Sequence, residues 1–392
     1  MAKSGERQTI DGAQPGRDIS HSRWRIGQYA REYPLDAWRY VVYSFGTGFS
    51  FGFLQVLLGL YLLSLGYRES FLATQQLVVA LCSAGFSVLA GVLVDKLGTR
   101  LCLSLSALLM ILGLSLLVAH PARSVILGAS AILGVGVAFY WVSQGPVLVQ
   151  VSRSDQRAGL FGLNWAFFTA SGFAGGLLAG FLPGLMTREL GPQAHGPQAY
   201  RYTVWFGVLL LALTSVSLPW MRAGGRAETR AASGAWWKIE QPRTVAALLI
   251  PVSSAALAVG FTVPFLSVFL HGTYNASTER IGMILGVFAL VGSLGGLLGP
   301  ALQRRYGAVS AVSGLLVAGA PVMLVVGYSP GLGIATGALW LRGLLANSAW
   351  PIALAHLIGS VQERQRGRVS ALMNITFELS LAAAALPAGY LM

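Results

Sequence analysis

Charged side chains are scarce in this sequence. Only 10% of its 392 residues are Asp, Glu, Lys or Arg, whereas 55% are apolar and the mean hydropathy is +0.64. In an ordinary soluble domain about a quarter of the residues are charged. The composition therefore excludes a soluble globular protein and indicates a protein that lies within a membrane.

Long apolar runs occur along the whole chain. Each run has at least about 18 residues, which is enough for a helix to cross the roughly 30 Å hydrocarbon core of a bilayer. None of the runs alternates between polar and apolar residues, which argues against a membrane β-barrel. We therefore predict an all-α polytopic membrane protein. Its eleven predicted segments are residues 38–64, 69–94, 101–119, 122–150, 159–186, 202–221, 244–271, 279–302, 308–328, 331–358 and 369–391.

Residues that would hold a cofactor or a metal ion are also few. The two cysteines, Cys82 and Cys102, both fall in predicted membrane segments, which argues against a disulfide framework or a cysteine metal site. The sequence has no glycine-rich phosphate loop ending in Lys-Ser or Lys-Thr, so ATP is not the expected energy source. It has no His-Glu-x-x-His motif either. We predict no cofactor and no metal site, and we do not expect an enzyme.

The basic residues are distributed unevenly across the predicted membrane. If the polar N-terminus is cytoplasmic, 21 of the 27 Lys and Arg residues lie in cytoplasmic segments, five lie at the outer side, and Arg342 lies within the tenth segment. This asymmetry follows the positive-inside rule and makes anionic lipid headgroups the main partner of the basic residues. The net charge of +13 therefore does not indicate a nucleic-acid partner. We expect a cell-membrane protein with a cytoplasmic N-terminus.

An internal repeat with an offset of 209 residues divides the chain into two halves. Its matching pairs include Trp141 with Trp350, Gly98 with Gly307, and Arg157 with Arg366. The predicted units are a cytoplasmic tail (1–36), a six-helix bundle (37–221), a cytoplasmic linker (222–243) and a second bundle of five helices (244–392). The offset places the counterpart of the sixth segment beyond Met392, so we expect a truncated twelve-helix protein. A protein of eleven helices is the alternative.

A short motif connects the second and third segments. It reads Gly91-Val-Leu-Val-Asp95-Lys96-Leu-Gly98-Thr99-Arg100. Gly91 permits close helix packing, Gly98 permits a tight turn, and the Asp95 carboxylate needs a partner at the membrane boundary. Together with the repeat and the basic central loop, this motif resembles the major facilitator superfamily. The resemblance covers essentially the whole chain apart from the tail.

The resemblance implies a function and a set of site residues. It implies two parallel six-helix bundles that move a small solute by alternating access, driven by an ion or solute gradient. We also expect a monomer. It further implies that Asp95, Lys96 and Arg100 latch the bundles in the outward-open state, with Asp155 as a candidate partner of Arg100. Helices 1, 4, 7 and 10 line the cavity in this superfamily. The polar and aromatic candidates there are Gln55, Tyr140, Trp141, Gln144, Trp340, Asn347 and Trp350, with Asn164 nearby on helix 5.

Two ionisable residues are predicted to lie near the middle of the membrane, where a charge is costly. Arg342 lies about eleven residues into the tenth segment and Glu378 about ten residues into the eleventh. In one interpretation they form a permanent ion pair. In the other, Arg342 binds an anionic group of the substrate and Glu378 carries a proton that couples transport to a gradient. A membrane-embedded enzyme or a non-transporting sensor on the same scaffold remains the alternative function.

Overall fold

The computed structural model describes residues 33–153, 157–190, 196–222, 242–359 and 366–391. Within these ranges the chain is helical and contains no β-strand, which confirms the all-α prediction. The helices are α1 (Leu35–Ser64), α2 (Glu69–Leu97), α3 (Thr99–Ala119), α4 (Arg123–Gln150), α5 (Arg157–Leu190), α6 (Pro197–Ser215), α7 (Pro242–Thr262), α8 (Leu266–Tyr274), α9 (Thr278–Tyr306), α10 (Ala308–Tyr328), α11 (Leu332–Gly359) and α12 (Arg366–Leu391). Most of the predicted tail and linker lies outside the described residues.

These helices correspond to the eleven predicted membrane segments. Among the described residues, ten stretches are long and apolar enough to cross a membrane. α7 and α8 belong to one such stretch, so α9 to α12 correspond to the eighth to eleventh segments. α11 is not among the ten, although it is 28 residues long, and it contains Arg342 and Asn347. The chain is a multi-pass membrane protein.

The seventh segment is not the continuous helix predicted for residues 244–271. α7 ends at Thr262, a 3₁₀ turn covers Val263–Phe265, and α8 continues to Tyr274. Pro264 lies in this turn and has no amide hydrogen to donate to the preceding helical turn. The proline therefore removes one backbone hydrogen bond at the break.

The predicted repeat is visible in the helix boundaries. α2 and α9 each contain 29 residues, α3 and α10 each contain 21, and α4 and α11 each contain 28. In each of these pairs the second helix begins and ends 209 residues after the first, and α12 begins 209 residues after α5. The two halves therefore share one helix pattern.

The repeat extends to the turns that join these helices. Gly98, between α2 and α3, has φ 86° and ψ 159°, and Gly307, between α9 and α10, has φ 78° and ψ 163°. In each turn the glycine amide donates to a carbonyl four residues back, at 2.9 Å. Residues with a side chain rarely adopt this conformation, so glycine is required at both positions.

Each half packs as a bundle, and the two bundles meet along two seams. In the first bundle α1 packs on α5 and α6, and α4 packs on α2 and α3. In the second, α9 and α10 pack on α11, and α12 packs on α7. The seams are α2 with α12 and α5 with α9. We call the side of the bundles where α1 begins the proximal side, and the side where it ends the distal side.

Candidate functional site: a cavity between the two bundles

The two seams make equivalent contacts at the distal side. A Cβ atom added to Gly180 on α5 would lie 2.9 Å from the carbonyl oxygen of Thr278 on α9. One added to Gly389 on α12 would lie 3.0 Å from the carbonyl oxygen of Glu69 on α2. Gly389 and Thr278 lie 209 residues after Gly180 and Glu69. Only glycine lets helix backbones approach this closely. The two equivalent glycine contacts therefore close the distal side of the bundles.

The helices separate toward the proximal side. A Cβ atom added to Gly85 on α2 or to Gly145 on α4 would meet no atom within 4 Å, and at Gly91 the nearest atom would be 4.0 Å away. α4 makes few contacts with α5, and α11 makes few with α12. Close contacts between the bundles are therefore recorded at the distal side, and we take the space between the bundles on the proximal side as the candidate cavity.

Four aromatic side chains from α1, α4 and α5 form a cluster in the first bundle. The ring centroid of Trp141 lies 6.4 Å from that of Phe51 and 5.7 Å from that of Phe168, and Phe168 stacks on Trp165 at 5.8 Å. Trp165 is 43% exposed, and the other three side chains are partly buried. We call these four residues the aromatic cluster.

The packing of α5 shows which way the aromatic cluster faces. Gly175 faces the backbone of α1, whereas Gly176 and Gly180 face α9. At 100° per residue, Trp165 falls between the α1 face and the α9 face of this helix. That sector of α5 is directed toward the second bundle. The exposed member of the aromatic cluster, Trp165, therefore faces the candidate cavity.

The predicted candidate Tyr140 lies behind the aromatic cluster and does not line the cavity. Its side chain is fully buried, and its hydroxyl is 2.9 Å from the Ser44 hydroxyl on α1. Its ring packs edge-on against Tyr43, whose hydroxyl is 3.0 Å from Ser106 on α3. This buried network supports the neighbouring Trp141, whose ring centroid is 5.1 Å from that of Tyr140.

The predicted amide candidates lie at different distances from the cavity wall. Gln55 lies one helical turn from Phe51 on α1, and Gln144 lies one turn from Trp141 on α4. Both side chains are partly buried, on two of the helices that carry the aromatic cluster. Asn164 is only 1% exposed, and its side-chain oxygen has no hydrogen-bond partner among the described residues.

The second-bundle candidates pack mainly against their own bundle. The indole nitrogen of Trp340 donates to the carbonyl of Ile284 on α9 at 3.0 Å. The Asn347 amide nitrogen donates to the Gly343 carbonyl at 2.9 Å, beside Gly292 on α9. The side chain of the third candidate, Trp350, lies outside what the structure describes.

Glu378 lies on the seam between α2 and α12. Its carboxylate accepts a hydrogen bond of 3.2 Å from the Ser83 hydroxyl on α2, and its side chain is partly buried. By residue count, Glu378 lies about 18 Å above the proximal end of α12, and Trp141 lies about 14 Å above that of α4. By this count the carboxylate lies at about the depth of the aromatic cluster.

Arg342 does not pair with Glu378 in this conformation, because its side chain is directed elsewhere. The Arg342 side chain packs against Gly319 on α10, within the second bundle. The one salt bridge between described side chains is that of Arg39 with Asp36, at 2.8 Å. The described side chains thus do not form the ion pair of the first interpretation, and the Arg342 side chain is directed at α10.

The loop motif is only partly described. Gly98 forms the predicted tight turn, whereas Gly91 makes no close helix contact in this conformation. Lys96 and Arg100 are exposed. The Thr99 hydroxyl donates to the Gln150 side-chain oxygen at 2.7 Å, which ties the motif to the end of α4. The Asp95 side chain and the whole of Asp155 lie outside the described residues.

Four residues of the cavity were not among the sequence candidates: Phe51, Trp165, Phe168 and Ser83. A helical projection of the first and fifth segments could have placed Phe51 and Trp165 on the same side as Gln55 and Gly176. Ser83 gave no such signal, because a serine in a membrane helix commonly bonds to its own backbone. Its role depends on the seam that brings α12 beside it.

Comparison with known proteins assigns the chain to a family. The Major Facilitator Superfamily profile matches residues 38–385. The fold is similar to that of the nucleoside transporter NupG, with a TM-score of 0.72 and 13% identity over 91% of each chain. It is also similar to the inward-open xylose transporter XylE from E. coli, with a TM-score of 0.69 and 13% identity over 90% of this chain and 89% of that chain.

A third similar structure is a bacterial homologue of the human lysosomal transporter Spinster in an inward-facing and occupied conformation. Its TM-score is 0.65, with 16% identity over 90% of this chain and 81% of that chain. None of the curated proteins matches the sequence. At these identities the solved structures support the fold alone, whereas the family profile spans nearly the whole chain. The chain therefore belongs to the major facilitator superfamily of transporters, as its loop motif and repeat predict.

Proposed function

We propose that the protein is a proton-coupled secondary transporter that moves a small solute across the cell membrane by rocking its two bundles. The observation that carries this proposal is the pair of seams with close contacts at the repeat-related Gly180 and Gly389, and with the Glu378 carboxylate on one of them. Rocking about a central site requires two bundles that can close on one side while they open on the other. The protein acts as a monomer, with a cytoplasmic N-terminus.

The distribution of basic residues gives the orientation in this proposal. The proximal ends of the helices carry most of the Lys and Arg residues, so the proximal side is cytoplasmic. The contacts at Gly180 and Gly389 then close the outer side, and the cavity opens to the cytoplasm. In the opposite conformation the loop motif takes over the closing role. Its latch consists of Gly91, Asp95, Lys96, Gly98 and Arg100, with Asp155.

Glu378 carries the proton. A charged carboxylate at mid-depth is costly, so the environment of Glu378 decides which form is stable. An ionised carboxylate accepts a stronger hydrogen bond from Ser83 than a protonated one does. Binding and release of a proton therefore changes the strength of a contact between the two bundles.

Flux measurements on the reconstituted full chain test the proposal. A thermal-shift screen of nucleosides, sugars, organic anions and organic cations identifies the compound that stabilises the protein most. Uptake of that compound into proteoliposomes is then measured with and without an imposed pH gradient. We expect the gradient to accelerate uptake in the wild type and in Glu189→Gln, which changes an exposed acid at the end of α5.

In Glu378→Gln the dependence of uptake on the pH gradient should disappear. An unchanged dependence in this variant would show that another group carries the proton. Chemical conversion of the compound without net flux would identify an enzyme. Binding without flux or conversion would identify a non-transporting sensor.

A further inference from the structure

We propose that the transported substrate is an organic cation with an apolar or aromatic body, bound between the aromatic cluster and Glu378. This inference rests on the proposed transport function and names the substrate class of the same cavity. The sequence alone suggested an anionic substrate at Arg342. The arrangement of side chains around the cavity favours the opposite charge.

The aromatic cluster is suited to a cation. The faces of aromatic rings attract positive charge, most strongly in tryptophan, when the charge lies within about 6 Å of the ring centroid. Trp141 and Trp165 both belong to the cluster, and each is in contact with Phe168. Trp165 keeps 43% of its surface exposed, so part of a tryptophan is free to contact a ligand in the cavity. A substrate with an apolar body would also cover this surface.

The charged side chains of the two bundles also favour a positively charged substrate. Among the described residues, Glu378 and Arg342 are the charged side chains away from the helix ends. Arg342 packs against Gly319 on α10, whereas Glu378 lies on the seam at the depth of the cluster. Of these two charges, the acid therefore lies between the bundles, and the base is directed into the second bundle. An anion there would meet a carboxylate and the negative faces of aromatic rings.

The other titratable groups near Glu378 do not change this conclusion. α12 packs on α2 and α7 and makes few contacts with α11. On α2 the titratable residue at this depth is Cys82, whose Cβ lies close to Gly134 on α4. On α11 Arg342 faces α10, and the side chain of His356 is not described. Within the described residues, Glu378 is thus the acid that a cation in the cavity meets.

A cation and a proton would then compete for one carboxylate. The cation binds the ionised form of Glu378, and protonation removes the charge that holds it. Binding of one monovalent cation to the protonated protein releases one proton, so charge is conserved. This competition couples exit of the cation to entry of a proton.

Probes of equal shape and different charge test the inference. Tetraphenylphosphonium, tetraphenylborate and neutral tetraphenylsilane have the same four-ring geometry, and benzyltrimethylammonium serves as a smaller cation. Binding of each probe to the purified full-length protein in detergent is measured by equilibrium dialysis, with protein-free micelles as the partition control. At least one of the two cations is expected to bind, and the anion and the neutral probe are not. Cation affinity should fall as the pH is lowered, and this dependence should be lost in Glu378→Gln.

Variants at three positions separate the contributions of the tryptophan and of the carboxylate to cation binding. Trp141→Ala should weaken cation binding by roughly 2- to 30-fold, the range of a cation–π contact, and Trp141→Phe should restore part of the loss. Glu378→Gln should weaken it about tenfold or more, because a charged partner is removed. Trp205→Ala, which changes an exposed tryptophan on α6, should leave it unchanged.

Some results would overturn the cation inference alone. These are tighter binding of tetraphenylborate than of either cation, loss of that binding in Arg342→Ala, failure of both cations to bind, or unchanged cation binding in Glu378→Gln. If pH-driven flux of another compound still depends on Glu378, the transport function stands. Conversely, Glu378-dependent cation binding without any flux would support the cation site and overturn the transport function.

Discussion

Replacing Gly282 with alanine should disfavour the contact between the distal ends of α5 and α9. The added Cβ would lie 2.6 Å from the Gly180 Cα, 2.7 Å from the Gly176 carbonyl oxygen and 2.9 Å from the Gly180 nitrogen. All three are backbone atoms, so no side-chain rotation relieves the overlap. Overpacking of this kind costs about 1–3 kcal/mol. Because the overlap exists only when the distal side is closed, the whole cost falls on that conformation.

The expected shift in the conformational equilibrium follows from this cost in free energy. A cost of about 1–3 kcal/mol changes the ratio of distal-closed to distal-open molecules by roughly 5- to 150-fold in favour of the open form. The gain in helix propensity from glycine to alanine applies to both conformations and cancels. The effect should therefore appear in the conformational equilibrium more than in global stability.

Spin-label distances across the seam measure this shift. Cysteines in place of Arg188 and Arg280, both exposed at the distal ends of α5 and α9, carry the labels in a background without Cys82 and Cys102. Gly282→Ala should increase the population at long distance. Gly128→Ala, where an added Cβ meets no atom within 4 Å, is the matched control and should not. An unchanged distribution in correctly folded Gly282→Ala would refute the assignment of this seam as the distal closure.

Two further predictions concern the turns and the buried hydroxyl network. Gly98→Ala and Gly307→Ala should each lower the free energy of unfolding by about 1–3 kcal/mol in thermal unfolding, because both positions need a glycine-only conformation. Gly314→Ala, in open space, should not, and a loss at only one turn would contradict their equivalence. In a double-mutant cycle, Ser44→Ala and Tyr140→Phe should show a coupling of about 0.5–1.5 kcal/mol in unfolding free energy, since their hydroxyls are 2.9 Å apart and fully buried. Strictly additive losses would show that this hydrogen bond contributes nothing.

The helices were predictable from the sequence because membrane crossing leaves a long apolar signal, and the repeat followed from one offset. The break at Pro264 was not predictable from the proline alone. Pro146, Pro183 and Pro321 lie inside continuous helices of the same protein, because neighbouring groups in a membrane bundle can satisfy the freed carbonyls. Whether a proline breaks a membrane helix therefore depends on its tertiary surroundings.

The repeat contained information that would have corrected the predicted direction of the Arg342 side chain. Arg342 lies 209 residues after Leu133, which packs against Gly113 on α3 inside the first bundle. By that equivalence Arg342 should face α10, as it does in the structure. The sequence predicts a depth for both ionisable residues, but depth does not give direction. The direction of a side chain is set by which helices flank its own, and the sequence does not show this except through the repeat.

The two seams share the equivalent glycines Gly180 and Gly389 but differ in their charged and polar side chains. The counterpart of Glu378 on α5 is Thr169, whose hydroxyl donates to the carbonyls of Trp165 and Ala166 in its own helix. The counterpart of Ser83 on α9 is Gly292, which packs beside Asn347. In the proposed mechanism a proton therefore acts on the α2–α12 seam and leaves the α5–α9 seam unaffected. Two seams between rigid bundles cannot move independently, so both open and close together. A carboxylate on only one of them is therefore sufficient to couple that motion to a gradient.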